Sequence, residues 1–111
     1  MKKFKNTYRK GILTFISYKT KENTFVAACE ELCVLVEEKD AELAKLKAMA
    51  QTKSYLENVV KQKLGQHLLN QSLPREIKKE FLDFLKKEKA ERWESSIERV
   101  IKENGNKLCA C

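Results

Sequence analysis

Glycine, proline and histidine are scarce in this chain, which has three Gly, one Pro and one His in 111 residues. The shortage of turn formers excludes an all-β sandwich or barrel, where a turn signal is expected about every 8–12 residues. Punctuation is clear only near Gly11, at residues 70–74 and at residues 104–106. With only Gly11, Gly65 and Gly105 available, no glycine-rich phosphate loop can be written. His67 has Leu64 three residues before it, so the Glu-x-x-His spacing of carboxylate-bridged di-iron bundles is missing too. No apolar run approaches the ~20 residues that span a bilayer. A basic start, an apolar stretch at 11–17 and Val26-Ala27-Ala28-Cys29 imitate an export signal, but the charged insert at 19–22 interrupts it. A cytoplasmic protein with reduced cysteines is expected.

Acidic residues are missing from one place in particular. The first twenty-one residues carry seven Lys/Arg and no Asp or Glu, and from Glu22 onward the charges cancel, so the net charge of +7 is local. A local field implies a local partner. Lys2, Lys3, Lys5, Arg9, Lys10, Lys19 and Lys21 are interleaved with Phe4, Tyr8, Phe15 and Tyr18. Ammonium groups release counterions condensed on phosphates, and aromatic faces stack on exposed bases, so this pattern points to nucleic acid or a ribonucleoprotein. One arginine among seven cations argues against bidentate reading of guanine, leaving contacts to the backbone. The apolar centre at 12–16 is expected to anchor the segment, with residues 2–10 and the Lys19 and Lys21 edge free to bind.

The remainder reads as helix, and the predicted fold class is all-α. Asn23 or Thr24 suits an N-cap, and Phe25, Cys29, Leu32, Val36, Leu43, Leu46, Ala50, Leu56, Val60, Leu64 and Leu68 recur at helical spacing. Strong helix formers fill residues 41–50. A single helix over 23–70 would be about 70 Å long, which demands a second apolar face from its own chain or from another copy in a homodimer. Lys39 and Lys53 would interrupt a strict coiled-coil seam. Ser72 and Pro74 predict a second helix over 72–104 that buries Ile77, Phe81, Phe84, Leu85, Trp93, Ile97, Val100 and Ile101, with a solvated stretch at 86–92. The short link predicts an antiparallel hairpin that sets Leu64, Leu68 and Leu69 against Ile77, Phe81 and Phe84. Residues 12–18 are β-branched and aromatic enough for a strand, but no partner strand is evident, so the basic segment 1–22 is predicted helical. Residues 105–111 form a tail, and the whole is one domain.

No catalytic constellation emerges, and no cofactor or metal is predicted. Cys29, Cys33, Cys109 and Cys111 are the right number of thiols for zinc, but the spacing is not a CxxC knuckle. Cys29 and Cys33 read as small core residues and the last pair as exposed thiols. The terminal Cys-Ala-Cys resembles the prenylated tail of Rab-type GTPases over three residues, with no phosphate loop to accompany it. Glu30, Glu31, Glu37, Glu38, Asp40 and Glu42 read as the wet face of a helix. The functional expectation is a non-enzymatic binding module whose basic segment engages nucleic acid without sequence specificity. Two alternatives follow from size and segregated charge: a small inhibitor of a nucleic-acid-handling enzyme, by analogy with phage-encoded anti-CRISPR proteins, and a structural homo-oligomer.

Overall fold

The residues expected to lead the helical protein build the middle of a β-sheet instead. The computed structural model describes residues 6–8, 10–87 and 89–100. Within them β1 (Ile12–Lys19), β2 (Phe25–Cys29), β3 (Val34–Glu38) and β4 (Ala90–Ser96) form one antiparallel sheet in the order β3-β2-β1-β4. Between β3 and β4 the chain inserts α1 (Ala41–Lys61), a 3-10 turn (Gln66–Leu69) and α2 (Arg75–Lys86). After β4 it turns helical again at 97–100. The fold is α+β, which overturns the all-α expectation together with its helical hairpin and coiled coil.

β1 is buried on both faces. Residues 13–18 are all buried because α1 lies over one side of the sheet and α2 over the other. A strand covered on both faces becomes a continuous apolar run rather than an alternating one. Leu13 and Phe15 pack with Leu56, Val59 and Leu69 on the α1 side. Ile16 and Tyr18 pack with Phe81, Phe84 and Leu73 on the α2 side. Tyr18 Oη donates to Glu80 Oε1 at 2.6 Å, and burial followed by this carboxylate holds the phenol well above its ordinary pKa. Leu69 and Phe81 therefore lie on opposite sides of the sheet, so the expected contact across a helical hairpin does not form.

The predicted helix over 23–70 breaks into a β-hairpin followed by a helix less than half as long. Asn23 is no N-cap: with φ 63° it occupies the left-handed position of the β1–β2 turn, which Thr20 N closes by donating to Thr24 O at 2.7 Å. Cys33, with φ 54°, turns β2 into β3. The helix starts at Asp40, whose carboxylate accepts the Leu43 N–H at 2.8 Å. Its buried row is Ala44, Ala48, Thr52, Leu56 and Val59. Leu43 and Leu46, which the apolar stripe placed in a seam, are 40% and 63% exposed. The reason is volume: α1 meets Ala27 and Val36 through Ala44 and Ala48, and small side chains on both elements let the helix axis approach the sheet closely.

The predicted second helix over 72–104 is likewise divided. It starts at Arg75 behind Pro74, with no capping bond from a side chain, and ends at Lys86. Residues 90–96 then pair with β1 in the register Ile12↔Ser96, Phe15↔Trp93 and Tyr18↔Ala90. This is the partner strand that the sequence did not reveal. Arg92, expected in the solvated stretch of a helix, is a strand residue opposite Ile16.

Cys29 and Cys33 part company in this fold. Cys29 lies at the end of β2 beneath α1, fully buried, and Cys33 is exposed on the turn. Burial pushes the Cys29 thiol up to about 12 from its usual 9.0, a rise that hydrogen bonds around the sulfur only partly oppose. The unfolded thiol ionises first as pH rises past about 9, so this group erodes stability on the alkaline side. At pH 8, iodoacetamide is expected to modify Cys33 at least about 100-fold faster than Cys29, as read by peptide mass mapping. Equal rates in the folded chain would contradict the placement of β2 under α1.

Candidate functional site

The basic N-terminal run is split between the two ends of β1. Lys10 is exposed just before the strand, whereas Lys19 is its last residue and Lys21 sits in the turn beyond. Eight residues at about 3.3 Å each set these ends roughly 25 Å apart. Lys2, Lys3, Lys5 and Arg9 lie outside the described residues. Between them, Asn6 and Tyr8 are not free to bind. Asn6 is buried and bonded to Leu69 and Asn70, and Tyr8 Oη donates to the Leu64 carbonyl.

What the fold assembles at the Lys19 end is absent from any single stretch of sequence. A hollow of about 230 Å³ is lined there by Ser17, Tyr18 and Lys19 of β1, Phe25 of β2, Ala41 and Lys45 of α1, and Lys89, Ala90 and Glu91 leading into β4. A second hollow of about 390 Å³ adjoins it through Lys45 and Glu91 and adds Arg92 and Trp93. Together they make a cleft whose rim carries Lys19, Lys45 and Lys89 against one carboxylate among the described residues, Glu91, while Arg92, paired with Ile16, leaves β4 on the other face of the sheet. Lys45 Nζ lies 2.6 Å from Glu91 Oε1 and 5.7 Å from the centre of the Trp93 ring. Lys19 Nζ lies 5.8 Å from the centre of the Phe25 ring. These are cation–π distances, so both ammonium groups lie against aromatic surface.

The opposite side of the sheet end is acidic. Glu37 accepts from Thr24 Oγ1, and Glu38 is held by Lys47 at 2.6 Å. Among the residues that line the cleft, the lysines outnumber the carboxylate. The N-terminus of α1 adds little to that excess, because the Asp40 carboxylate already takes the Leu43 N–H. A larger hollow of about 490 Å³ flanks the C-terminal half of α1, but Ser54, Glu57, Asn58, Val60 and Lys61 balance one carboxylate against one lysine there. It offers neither excess charge nor an aromatic face.

Lys19 and Lys21 are thus the two sequence-predicted residues at the cleft end, and Lys10 is at the other end of the sheet. Lys45, Lys89 and Arg92 escaped notice as binding residues in the sequence, and Trp93 was expected as a buried residue of the second helix. Lys45 is one lysine among several on an amphipathic helix, and 86–92 reads as a solvated helix face until β4 is paired. Only Trp93, the single tryptophan of the chain, stood out.

Among the described residues no group of three or more His, Cys, Asp and Glu is placed to hold a metal ion. Cys109 and Cys111 lie outside those residues. None of the described helices is long and apolar enough to cross a membrane. Comparison of the chain with protein-family models, curated proteins and solved structures gave no match.

Proposed function

We propose that this chain is a binding module that holds nucleic acid by its phosphate backbone at the cleft between α1 and β4, without reading base sequence. The observation that supports this most is the convergence of Lys19, Lys45 and Lys89, from three separate places in the chain, on hollows that hold one acid among the described residues. Lysine dominates, and an ammonium is a point charge that meets phosphate from any direction, whereas bidentate base recognition calls for guanidinium groups. Backbone contact without base reading follows from that composition. The binding surface is thereby moved from an N-terminal arm to a folded face of which Lys19 forms one edge and Lys21 the adjoining turn.

Three cations meeting three phosphates give a log–log salt slope of about −2, so affinity falls roughly 20-fold between about 50 and 200 mM salt. Replacing Lys19, Lys45 and Lys89 together by glutamine is expected to bring that slope close to zero, measured by fluorescence anisotropy of labelled single-stranded and duplex oligonucleotides. Tight binding that the triple substitution leaves unchanged would overturn the assignment of the cleft.

A different observation favours a protein partner, in the manner of a small inhibitor. Leu43 and Leu46 lie exposed on α1, and β3 and β4 are the outer strands of the sheet. A pull-down from nuclease-treated lysate separates the two readings. A protein retained equally by the wild-type chain and the triple lysine variant supports the inhibitor.

A further inference from the structure

We infer that the nucleic acid is single-stranded, that one base stacks on Trp93, and that the Lys45–Glu91 pair is a latch over that platform. This rests on the proposed function and deepens it. Trp93 and Phe15 are directly paired across β4 and β1, and their rings stack 5.6 Å apart at an interplanar angle of 12°. Phe15 is buried and takes one face of the indole. β4 is the outermost strand on that side, so the other face looks past the edge of the sheet into the hollow lined by Lys45, Glu91 and Arg92. A flat aromatic surface, fixed from behind and bordered by the Lys45 ammonium, is the arrangement that single-strand binders use to stack a base while neutralising its phosphate. Bases inside a duplex are already stacked on their neighbours and cannot reach it.

Lys45 covers this platform in the free protein. Its ammonium is held over the ring by Glu91, yet the two side chains are 27% and 64% exposed. Exposed ion pairs of this kind contribute little, and a four-carbon stem moves easily. An arriving phosphate draws Lys45 away from Glu91, and the vacated ring face receives the base. Glu91 therefore opposes binding, while Lys45 serves both closed and bound states. The latch needs no backbone movement, since Ser17, Trp93 and Glu91 stay on paired strands.

Trp93 is the only tryptophan, so its emission reports the contact directly in the unmodified full-length chain. Oligothymidylate and oligoadenylate are expected to quench it on binding, whereas a duplex oligonucleotide and inorganic polyphosphate bind by anisotropy or competition without quenching. Glu91→Gln is expected to tighten oligothymidylate binding about fivefold at low salt, because it removes a competing charge a few ångströms from the phosphate. Trp93→Leu is expected to weaken binding of single strands about tenfold to a hundredfold, while polyphosphate binding stays the same and Trp93→Phe retains most of the affinity. If Trp93→Leu proves unfolded by circular dichroism, the wild-type quenching and Glu91→Gln decide alone. A bound single strand that leaves the emission unchanged, or polyphosphate that quenches equally, overturns the stacking platform while leaving backbone binding intact. Failure of every nucleic acid to bind overturns both.

Discussion

Phe15→Ala is expected to lower the free energy of unfolding by about 3–5 kcal/mol, a loss that consumes much of the roughly 5–15 kcal/mol typical of a small domain. Phe15 occupies the centre of the central strand, where it pairs with Cys29 on one side and Trp93 on the other. It is fully buried with Leu13, Leu56 and Val59 beneath α1. Truncation leaves a cavity that two hydrogen-bonded neighbouring strands cannot collapse to fill, and it removes the ring that stacks on Trp93. Urea unfolding followed by circular dichroism measures the loss, and the native tryptophan emission should shift to the red as the indole gains water. A cost below about 1 kcal/mol would mean that residues 12–19 are not the middle strand, because a helical segment on the surface would tolerate alanine well.

Gly11→Ala is expected to cost about 3 kcal/mol by a different mechanism. Gly11 has φ +152°, a conformation that side chains with a Cβ rarely adopt. An added methyl would also lie 2.1 Å from Asn6 Oδ1 and 2.9 Å from Asn6 Cα, so Asn6 itself must move. Asn6 is a buried hub. Its backbone N–H donates to Asn70 Oδ1 at 2.7 Å, its Nδ2 donates to Leu69 O at 2.8 Å, and its Oδ1 accepts the Ile12 N–H at 2.8 Å. Asn70 Nδ2 completes the clamp by donating to Asn6 O at 3.0 Å. Displacing Asn6 leaves buried donors and acceptors unpaired at the start of β1, each costing about 1–3 kcal/mol. Asn6→Ala removes the same network, so the Gly11→Ala/Asn6→Ala pair should cost clearly less than the sum of the single substitutions. Additive effects, or a neutral Gly11→Ala, would show that the two residues do not act through one contact.

These two substitutions act on the fold from which the cleft is built, whereas the lysine and Glu91 substitutions act on exposed charge and should leave stability nearly unaltered. That separation matters for interpreting binding. Lys19, Lys45, Lys89 and Trp93 come from β1, α1, the α2–β4 turn and β4, and they meet only while β4 remains paired to β1. Any variant that weakens the β1–β4 ladder therefore removes binding together with secondary structure, and a stability measurement must accompany each affinity.

The α1 helix was legible from residues 41–50, whose helix formers follow Asp40, and α2 from Pro74 and the spacing of Ile77, Phe81 and Phe84. The other half of the fold was not. Residues 12–18 are chemically a strand, but a strand needs a neighbour, and neither neighbour carries a strong signal. β2 contains two alanines and a cysteine, and their buried spacing also fits a helix. β4 reads Ala-Glu-Arg-Trp-Glu-Ser-Ser, with one large apolar residue, because an edge strand half open to water needs little more. The helical stripe that ran through Leu43 and Leu46 followed hydrophobicity, while the actual contact selected small volume at Ala44 and Ala48.

The sequence by itself determined the local preferences of this protein: helix formers over 41–50, a helix start behind Pro74, a break at Gly11, and a reservoir of positive charge that starts at the N-terminus. These depend on neighbours a few positions away, and a linear reading reaches that far. The tertiary structure alone decided that 12–19 would be the central strand, because that outcome depends on pairing with residues 90–96 more than seventy positions later. The same pairing decided where the charge is useful. It separates Lys10 from Lys19 by the length of β1 and sets Lys45 and Lys89 beside Lys19, so that cations from three parts of the chain line a cleft with an aromatic wall.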